Sequence, residues 1–454
     1  MTRLFGTDGI RGVANVELTP DLAYKVGWAA ASVLAGDCRH KPNILVGNDS
    51  RISCSMLESA LAAGLCTAGA NPWLAGVVTT PAVAWLTQFY RCDAGIMISA
   101  SHNPFEFNGI KLFNKDGYKL PDKTEDFIEA LIETYDEKMV YRPTGDAIGC
   151  CERKINAAKD YADHLKGLMG IRLNGIKIAL DCANGASSDI APGLFRDLGA
   201  SVVTISAEPD GTNINANCGS LYPDRLCQLV CKGSCDIGFA FDGDADRVIA
   251  VDENGCVADG DVLLAVIGAD MKARGELRQN TIVATVMSNL GLEIMASNHE
   301  IEIVKTKVGD RYVLEEMLQH GYVIGGEQSG HIILLEQTTT GDGLLSALRL
   351  LYALYPPDKP HQPLSEARKI IRSLPQVQIS ARVPNDRKHE AMQDEAVRNL
   401  ITQIERELDG KGRVLVRPSG TEPVIRVMIE GEDKNRISSL ADRLAAFISD
   451  RFGN

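Results

Sequence analysis

Long hydrophobic runs and an excess of basic residues are both missing from this chain of 454 residues. No apolar run approaches the roughly 20 residues that span a membrane. The amino-terminal MTRLFGTDG also lacks the hydrophobic stretch of a secretory signal peptide. The formal net charge is −13, whereas nucleic-acid-binding proteins concentrate Lys and Arg on one face. We therefore expect a cytoplasmic protein with neither a membrane nor a nucleic acid as partner.

Cysteine spacings typical of zinc sites are missing as well. Twelve cysteines spread along the chain without any CxxC pair. Cys227, Cys231 and Cys235 recur at every fourth position, which predicts a stripe of small apolar side chains on one helix face. A metal cluster is the alternative, and the absence of zinc spacings disfavours it. Cys150 and Cys151 are interpreted in the same way, as thiols that stay reduced.

Short apolar runs alternate with amphipathic segments through most of the chain. One amphipathic segment covers Asp21–Leu34, which Thr19 can cap and Pro20 can start. Strands that alternate with helices over several hundred residues are typical of doubly wound α/β domains with largely parallel sheets. The predicted strands are 43–47, 94–99, 177–181, 201–205, 236–241 and 281–286.

The proline-rich segment PPDKPHQP (356–363) predicts a linker, and the pattern changes after it. Three alternating segments typical of antiparallel strands follow, and a helix over 434–449 closes the chain. We expect three consecutive doubly wound domains with mixed or parallel sheets and a smaller carboxy-terminal α+β domain. Weaker boundaries near 150–155 and 255 complete the division. The predicted domains are 1–152, 153–255, 256–372 and 373–454.

Three aspartates at every second position directly follow the predicted strand 236–241. Asp242, Asp244 and Asp246 repel one another strongly unless a cation neutralises them. Their hard oxygens suit Mg²⁺, and the loop lacks the glycine and glutamate of an EF-hand. The alternative is an Asp-rich surface turn. We favour the metal because the loop joins an apolar strand to Arg247.

A hydroxyl, an imidazole and an amine follow the predicted strand 94–99. Ser101 and His102 lie just past the end of that strand, and Lys111 comes after the turn at Asn103-Pro104. A hydroxyl in this position suits a nucleophile. Serine after a strand is also common in ordinary turns. The interpretation of Ser101 as a nucleophile therefore depends on the aspartate loop.

Two loops carry arginine beside glycine or hydroxyl groups, as phosphate sites do. FGTDGIRG (5–12) allows backbone N–H groups to approach an anion while Arg11 binds it bidentately. RPSGTEPVIRV (417–427) combines hydroxyls, a glycine and two guanidiniums in one turn and the strand after it. Its candidate phosphate ligands are Arg417, Ser419, Gly420, Thr421 and Arg426.

Two further loops offer groups for binding a sugar. GGEQSGH (325–331) places Glu327, Ser329 and His331 together, and a glutamate and a serine two residues apart can bind vicinal hydroxyls. The alternative is a solvated turn. TKVGDRY (306–312) adds polar groups, with Lys307, Gly309 and Arg311.

A hydroxyl nucleophile, a Mg²⁺ triad and separate phosphate- and hydroxyl-binding loops together predict phosphoryl transfer to a sugar. The motifs ISASHNP, FDGDADR, GGEQSGH and RPSGTEP, in this order after FGTDGIRG, resemble the α-D-phosphohexomutase family over nearly the whole chain. The resemblance is closest to bacterial members that act on glucosamine phosphates. It implies four domains around one cleft and small sugar phosphates as partners. It allows a homodimer.

The family resemblance also implies a role for each candidate residue. Ser101 would be the phosphoserine, and it would hold Mg²⁺ with the three aspartates. Hexose 1,6-bisphosphate would be the intermediate and activator. Lys111 or His331 would be the general base, and Glu327 and Ser329 would bind the sugar's O3 and O4. The residues near the transferring group would be Arg11, His102, Lys111, Arg247 and His331. Those binding other parts of the substrate would be Lys307, Gly309, Arg417, Ser419, Gly420, Thr421 and Arg426.

Three alternative functions stay open at this point. A glucose or mannose phosphomutase of the same family differs only in the preferred sugar. A metal-dependent phosphatase would discharge Ser101 to water, but it would need further His or Asp ligands for a second metal. A non-catalytic sugar-phosphate binding protein would keep the binding loops without turnover.

Overall fold

The fold is described from a computed structural model that covers residues 3–6, 8–34, 40–136, 142–357, 360–419 and 422–453. The strands are β1 (Phe5–Gly6), β2 (Gly9–Val13), β3 (Asn43–Asn48), β4 (Asn71–Val77), β5 (Ala94–Ile98), β6 (Phe107–Asn114), β7 (Glu152–Arg153), β8 (Lys177–Asp181), β9 (Ser201–Ile205), β10 (Ile237–Phe241), β11 (Val248–Asp252), β12 (Val257–Ala258), β13 (Thr281–Thr285), β14 (Glu302–Thr306), β15 (Ile324–Gly326), β16 (Ile332–Leu334), β17 (Gln376–Arg382), β18 (Gly412–Pro418) and β19 (Val424–Gly431).

Fifteen α-helices and four short 3₁₀ turns lie in the described residues. The helices are α1 (Pro20–Leu34), α2 (Cys54–Thr67), α3 (Thr80–Phe89), α4 (Asp122–Glu133), α5 (Ala157–Met169), α6 (Ser187–Asp197), α7 (Asp224–Gly233), α8 (Gly260–Ala273), α9 (Leu290–Asn298), α10 (Asp310–His320), α11 (Gly343–Leu354), α12 (Leu364–Ala367), α13 (Lys388–Gln393), α14 (Glu395–Glu407) and α15 (Lys434–Phe452). The 3₁₀ turns are Gly145–Ala147, Arg278–Asn280, Arg368–Ile370 and Asn385–Arg387.

The first sheet has seven strands in the order β1-β2-β6-β5-β3-β4-β7. Its centre is parallel, because β3 pairs in parallel with β4 and β5, whereas β6 runs antiparallel to β5 and β2. Alternate residues of these strands face α1, α2 and α4, where the largest apolar core of this region lies. Because α3 packs on the other face, the carboxyl end of β5 is a buried edge that can carry Ser101.

The second and third sheets are also mixed. The second has the order β12-β11-β10-β8-β9, with β8, β9 and β10 parallel and β11 returning antiparallel to β10. The third has the order β14-β13-β15-β16, in which β15 and β16 form an antiparallel hairpin. Two of the candidate loops are therefore the tips of hairpins that extend parallel sheets.

Contacts divide the chain into two compact units, Met1–Met287 with Ile301–Ile370 and Ser288–Glu300 with Ile371–Asn454. In the second unit, β17, β19 and β18 form an antiparallel sheet with its own apolar core against α14 and α15. Helix α9 belongs to this unit, where the Asn289 side chain donates to Leu374 O (2.9 Å). The three boundaries between the four predicted domains stay a prediction.

The structure confirms the predicted strands to within one residue at each end. It also confirms the first helix, where Thr19 Oγ1 accepts from Leu22 N (3.2 Å), and the closing helix, which extends to Phe452. Within 356–363, positions 358 and 359 lie outside the described residues. No helix in the described part of the chain is long and apolar enough to cross a bilayer.

The predicted cysteine stripe on one helix face is wrong in part. Helix α7 ends at Gly233, and Ser234 adopts a left-handed conformation (φ 47°), so the buried Cys235 lies beyond the helix. Cys231 is exposed, and Cys227 is half-buried. Periodicity could not show the helix end, because Lys-Gly-Ser carries only a weak stop signal.

Candidate active site

The aspartate loop connects two fully buried strands. β10 and β11 are antiparallel, with Phe241 paired to Val248, and residues 242–247 form the loop between them. Asp242, Asp244 and Asp246 are buried, and each offers a carboxylate oxygen that lies within 4.8 Å of the others. Among the described residues, no other group of His, Cys, Asp or Glu meets this condition.

The electrostatics of the triad fit a bound cation. Burial, and then the charges of Asp246 and Asp244, raise the pKa of Asp242 well above its usual value. Asp244 Oδ1 and Asp246 Oδ1 are buried and accept no hydrogen bond from the described residues. Buried carboxylate oxygens without a partner are costly. A hard divalent cation such as Mg²⁺ would supply the missing partner.

Ser101 lies against this triad and has a strained backbone. Its φ is +52°, in the left-handed region that β-carbon-bearing residues avoid. Its side chain donates to Asp242 Oδ2 (2.7 Å), and His102 Nδ1 lies 3.4 Å from its oxygen. Gly243 makes this approach possible, because a β-carbon there would come within 2.6 Å of Ser101 O. The predicted nucleophile and the predicted metal loop are thus in direct contact.

Lys111 is the buried cation of the site. Its Nζ lies 2.9 Å from Asp8 Oδ2, 2.8 Å from Asp244 Oδ2 and 3.4 Å from Asp246 Oδ2. Burial alone would lower the pKa of Lys111, but these three carboxylates raise it well above its usual value. In return, Lys111 outweighs the burial of Asp244 and lowers its pKa to about 2. The lysine therefore stays an ammonium at pH 7 and offsets part of the negative charge of the triad.

A second, half-buried lysine continues this alternation of charges. Lys119 Nζ donates both to Asp8 Oδ1 and to Asp310 Oδ2, at the start of α10. Burial would lower the pKa of Lys119, but the two carboxylates raise it. His331 Nε2 then lies 3.6 Å from Asp310 Oδ2. Lys111 and His331, the two candidate bases, thus lie at the two ends of one series of contacts that runs through Asp8, Lys119 and Asp310.

Two guanidiniums flank the imidazole of His102. Burial, and then the charges of Arg247 and Arg11, lower the pKa of His102 to about 4, so its ring is neutral at pH 7. Arg11 Nη2 binds Asp8 Oδ2 (2.5 Å), and Arg247 Nε lies 3.8 Å from Asp246 Oδ1. Both arginine Nε atoms are buried and donate to no described residue. These donors suit an anionic group above Ser101.

The predicted sugar-binding loop connects β15 to β16. Glu327 N donates to His331 O (3.0 Å), and Gly309 N donates to Glu327 Oε1 (3.0 Å), which orients the carboxylate. The loop also pairs with the end of the aspartate loop, through a bridge between Arg247 and His331 and a bond from Val248 N to Gly330 O (3.1 Å). The sugar and metal loops are therefore joined through their backbones.

A cleft of about 500 Å³ lies over these loops. Ser101, Lys111, Asp242 and Asp244 are buried beneath its floor. Lys307 and Ser329 are exposed and lie outside the set of lining residues, so the structure does not bring these two predicted residues to the cleft wall. The predicted residues that line it are Arg11, His102, Asp246, Arg247, Gly309, Glu327 and His331.

The predicted phosphate loop belongs to the second unit. Arg417 and Arg426 are directly opposite each other on β18 and β19, so their side chains share one face. Burial, and then the charge of Arg426, lower the pKa of Arg417. The buried Lys388 donates to Ser419 O (2.6 Å) and adds a third cation. Gly420 and Thr421 lie outside the described residues.

Sequence reasoning missed several residues that complete the site. They are the buried pair Asp49 and Arg51, Asn215 in the segment between β9 and α7, the Asp244 partner Thr80, the charged residues Asp8, Lys119 and Asp310, and, beside the predicted phosphate loop of the second unit, Lys388. One signal was available: Asp49 and Arg51 follow the buried strand β3 directly, at the sheet edge that carries Ser101. Asp8 and Asp310 lie within the motifs FGTDGIRG and TKVGDRY, but nothing in the sequence indicates their ion pairs. The remaining residues lie outside the motifs, and only packing brings them into place.

The chain is similar to known proteins over nearly its whole length. It matches four domain profiles described as Phosphoglucomutase/phosphomannomutase: alpha/beta/alpha domain I at residues 2–139, domain II at 159–255, domain III at 259–372 and the C-terminal domain at 379–447. A phosphoglucosamine mutase from Ruminiclostridium cellulolyticum is 55% identical over 451 residues, which are 99% of this chain and 100% of that protein.

Solved structures share the fold. A phosphoglucomutase/phosphomannomutase family protein from Burkholderia thailandensis superposes with a TM-score of 0.81 at 23% identity, over 100% of this chain and 99% of that one. Aspergillus fumigatus N-acetylphosphoglucosamine mutase, in complex with GlcNAc-6P and magnesium, superposes with a TM-score of 0.66 at 17% identity, over 98% and 95%. The chain belongs to the phosphoglucomutase/phosphomannomutase family, the α-D-phosphohexomutases that its motifs predicted.

Proposed function

We propose that this isomerase interconverts glucosamine 6-phosphate and glucosamine 1-phosphate by way of phosphorylated Ser101 and a hexose 1,6-bisphosphate. The contact between Ser101 Oγ and the buried aspartate triad carries the proposal. A serine in this position can hold a phosphoryl group over a cation site, beneath a cleft lined by two guanidiniums. The relative from R. cellulolyticum, at 55% identity, supports the glucosamine substrate.

The proposed metal is Mg²⁺, held by the aspartate triad together with Ser101. Two orphaned carboxylate oxygens and the hard donor set support this assignment. The A. fumigatus enzyme was solved with magnesium, which is consistent with it. When bound, Mg²⁺ would withdraw charge from the phosphoryl group and so lower the barrier to its transfer.

The protein groups around Ser101 would divide the remaining work. Arg11 and Arg247 would bind the phosphoryl oxygens, and the neutral His102 would donate or accept a hydrogen bond beside them. The raised pKa of Lys111 favours an electrostatic role for that lysine. His331, whose ring nitrogens accept and donate no hydrogen bond within the described residues, is then the proposed proton acceptor.

The substrate-binding roles rest on position. Glu327 would bind the sugar hydroxyls O3 and O4, because Gly309 N already orients its carboxylate toward the cleft. Ser329 and Lys307 are exposed and do not line the cleft, so they would contact only a part of the substrate that extends beyond it. The loop around Arg417, Ser419 and Arg426, with Gly420 and Thr421, would bind the phosphate that does not react. Two adjacent guanidiniums favour such an anion, since it relieves their repulsion.

The test combines mass spectrometry of the intact protein with product analysis. The purified protein is incubated with glucose 1,6-bisphosphate and its mass is measured. We expect an increase of one phosphate, which Ser101→Ala abolishes. Ser59→Ala, a serine on the surface of α2, is the matched control and keeps the increment. Turnover of glucosamine 6-phosphate is followed in the same samples, and Ser101→Ala should lose it almost completely.

The competing functions give different results in these assays. Release of inorganic phosphate in step with substrate loss would indicate a phosphatase. Binding without turnover in the wild-type protein would indicate a sugar-phosphate binding protein. Higher catalytic efficiency on glucose or mannose phosphates would replace the glucosamine assignment.

The free thiols of the described cysteines support a reducing, cytoplasmic location as part of the same proposal.

A further inference from the structure

A buried ion pair lies behind the Ser101 loop, at the carboxyl end of β3. Asp49 and Arg51 follow that strand directly, and both side chains are fully buried. Arg51 Nε donates to Asp49 Oδ2 (2.9 Å), and Arg51 N donates to Asp49 Oδ1 (3.0 Å). Burying two charges costs several kcal/mol each and is repaid only when further hydrogen bonds satisfy both groups. The partners of this pair are therefore informative.

The guanidinium of Arg51 binds four backbone carbonyls of the Ser101 loop. Nη2 donates to Ser101 O (2.9 Å) and Asn103 O (2.8 Å). Nη1 donates to Pro104 O (2.5 Å) and Phe107 O (3.1 Å). Only a planar fork of donors can bind four carbonyls in this arrangement. One side chain thus fixes the path of the loop from Ser101 to β6.

The carboxylate of Asp49 fixes the backbone N–H of Ser101, and it does so through the side chain of Ser99. Ser99 Oγ donates to Asp49 Oδ2 (2.7 Å), which leaves the Ser99 oxygen oriented to accept from Ser101 N (2.9 Å). Both backbone groups of Ser101 therefore depend on the ion pair, its C=O on Arg51 and its N–H on Asp49 through Ser99. Asn215 Nδ2 adds a second donor to Ser101 O (2.9 Å).

A left-handed serine needs such support. A residue with a β-carbon at this φ is strained and persists only where several surrounding contacts hold it in place. We infer that Asp49 and Arg51 are positioning residues that hold Ser101 in this conformation and so set the rate at which its hydroxyl exchanges phosphate. This inference rests on the proposed function. Neither residue lines the cleft, so neither contacts substrate.

The first experiment measures phosphate transfer to dephosphorylated Ser101. Arg51→Lys keeps the charge but loses the fork. We expect the rate of phosphorylation by glucose 1,6-bisphosphate, and kcat, to fall about 100-fold, since small misplacements of reacting groups cost this much. KM should stay within about threefold, because the cleft wall is intact. Ser99→Ala, a milder change that leaves the ion pair in place, should lower the same rate to a smaller extent.

Arg349→Lys is the matched control, because Arg349 is a buried arginine whose ion pairs are with Glu276 and Asp270. It should lose thermal stability without loss of kcat when assayed well below its unfolding temperature. Arg51→Lys with the wild-type phosphorylation rate would overturn the inference. So would an activity loss in Arg51→Lys that only matches its unfolded fraction.

Hydrogen–deuterium exchange separates this inference from the proposed function. In Arg51→Lys and in Ser99→Ala we expect faster exchange in the peptide 99–107 and unchanged exchange in the β10–β11 strands. Unchanged exchange in 99–107 would overturn the positioning role even if activity falls. If the wild-type protein takes no phosphate from the bisphosphate, the proposed function fails, while the exchange data still decide whether the ion pair holds the loop.

Discussion

Replacing Asp342 with asparagine should stabilise the protein, and the gain should grow with pH. Asp342 caps α11 by accepting from Leu345 N (2.9 Å), and the buried Tyr161 donates its hydroxyl to the same carboxylate (2.5 Å). Burial raises the pKa of Asp342 from 3.8 to about 6, against the lowering effect of those hydrogen bonds. Asparagine keeps the cap and resembles the protonated acid.

The sign follows from proton binding. The folded state holds the Asp342 proton more tightly than the unfolded chain, so this contribution to stability is fully present below pH 3.8 and is lost as the pH rises through about 6. The difference between the two pKa values corresponds to about 3 kcal/mol in total. Between about pH 4.5 and about pH 8, the gain from Asp342→Asn should therefore widen by about 2 kcal/mol.

Urea unfolding followed by tryptophan fluorescence suits this measurement, because the three tryptophans lie in the unit that contains Asp342, and Trp85 packs near Tyr161. Asp433→Asn is the control: Asp433 caps α15 in the same way but at the surface, so this variant measures the effect of an amide at an exposed cap. A gain from Asp342→Asn that is constant or shrinks from pH 4.5 to 8 would refute the reasoning.

Three further outcomes are expected. Gly243→Ala should lower the free energy of unfolding by about 1–3 kcal/mol and should slow phosphorylation of Ser101, because the added carbon meets the Ser101 carbonyl oxygen at 2.6 Å. Normal phosphorylation in this variant would contradict the described contact. Lys119→Met should destabilise by about 1–3 kcal/mol, since it removes the ammonium that Asp8 and Asp310 share, while Lys111 and Arg11 stay paired with Asp8; calorimetry measures this. Magnesium added to EDTA-treated protein should raise its unfolding temperature, and an alanine substitution in the aspartate triad should abolish that rise.

The metal loop and Ser101 could be predicted because each follows an apolar run without a break. A buried strand such as β10 must end at a sheet edge, so three aspartates directly after it are placed there by chain continuity alone. Lys119 lacks such a signal. In the sequence it resembles a solvated lysine, and its partial burial depends on α10 packing close to the segment after β6.

Side-chain direction in loops was also beyond the sequence. The spacing in GEQSGH placed Glu327 and Ser329 together, yet only Glu327 lines the cleft, because the hairpin fold turns Ser329 to solvent. Sequence periodicity likewise predicted the strands but not that β11 and β16 return antiparallel beside their predecessors. Strand pairing is a non-local property that a single sequence encodes only through packing.

The backbone bridge between Arg247 and His331 joins the metal loop to the sugar loop. Under the proposed function, Ser101 and Glu327 would therefore keep one separation in both directions of the reaction, and both monophosphates would have to fit that single span. A bisphosphate bound in one orientation would then have to turn around before its other phosphate could reach Ser101.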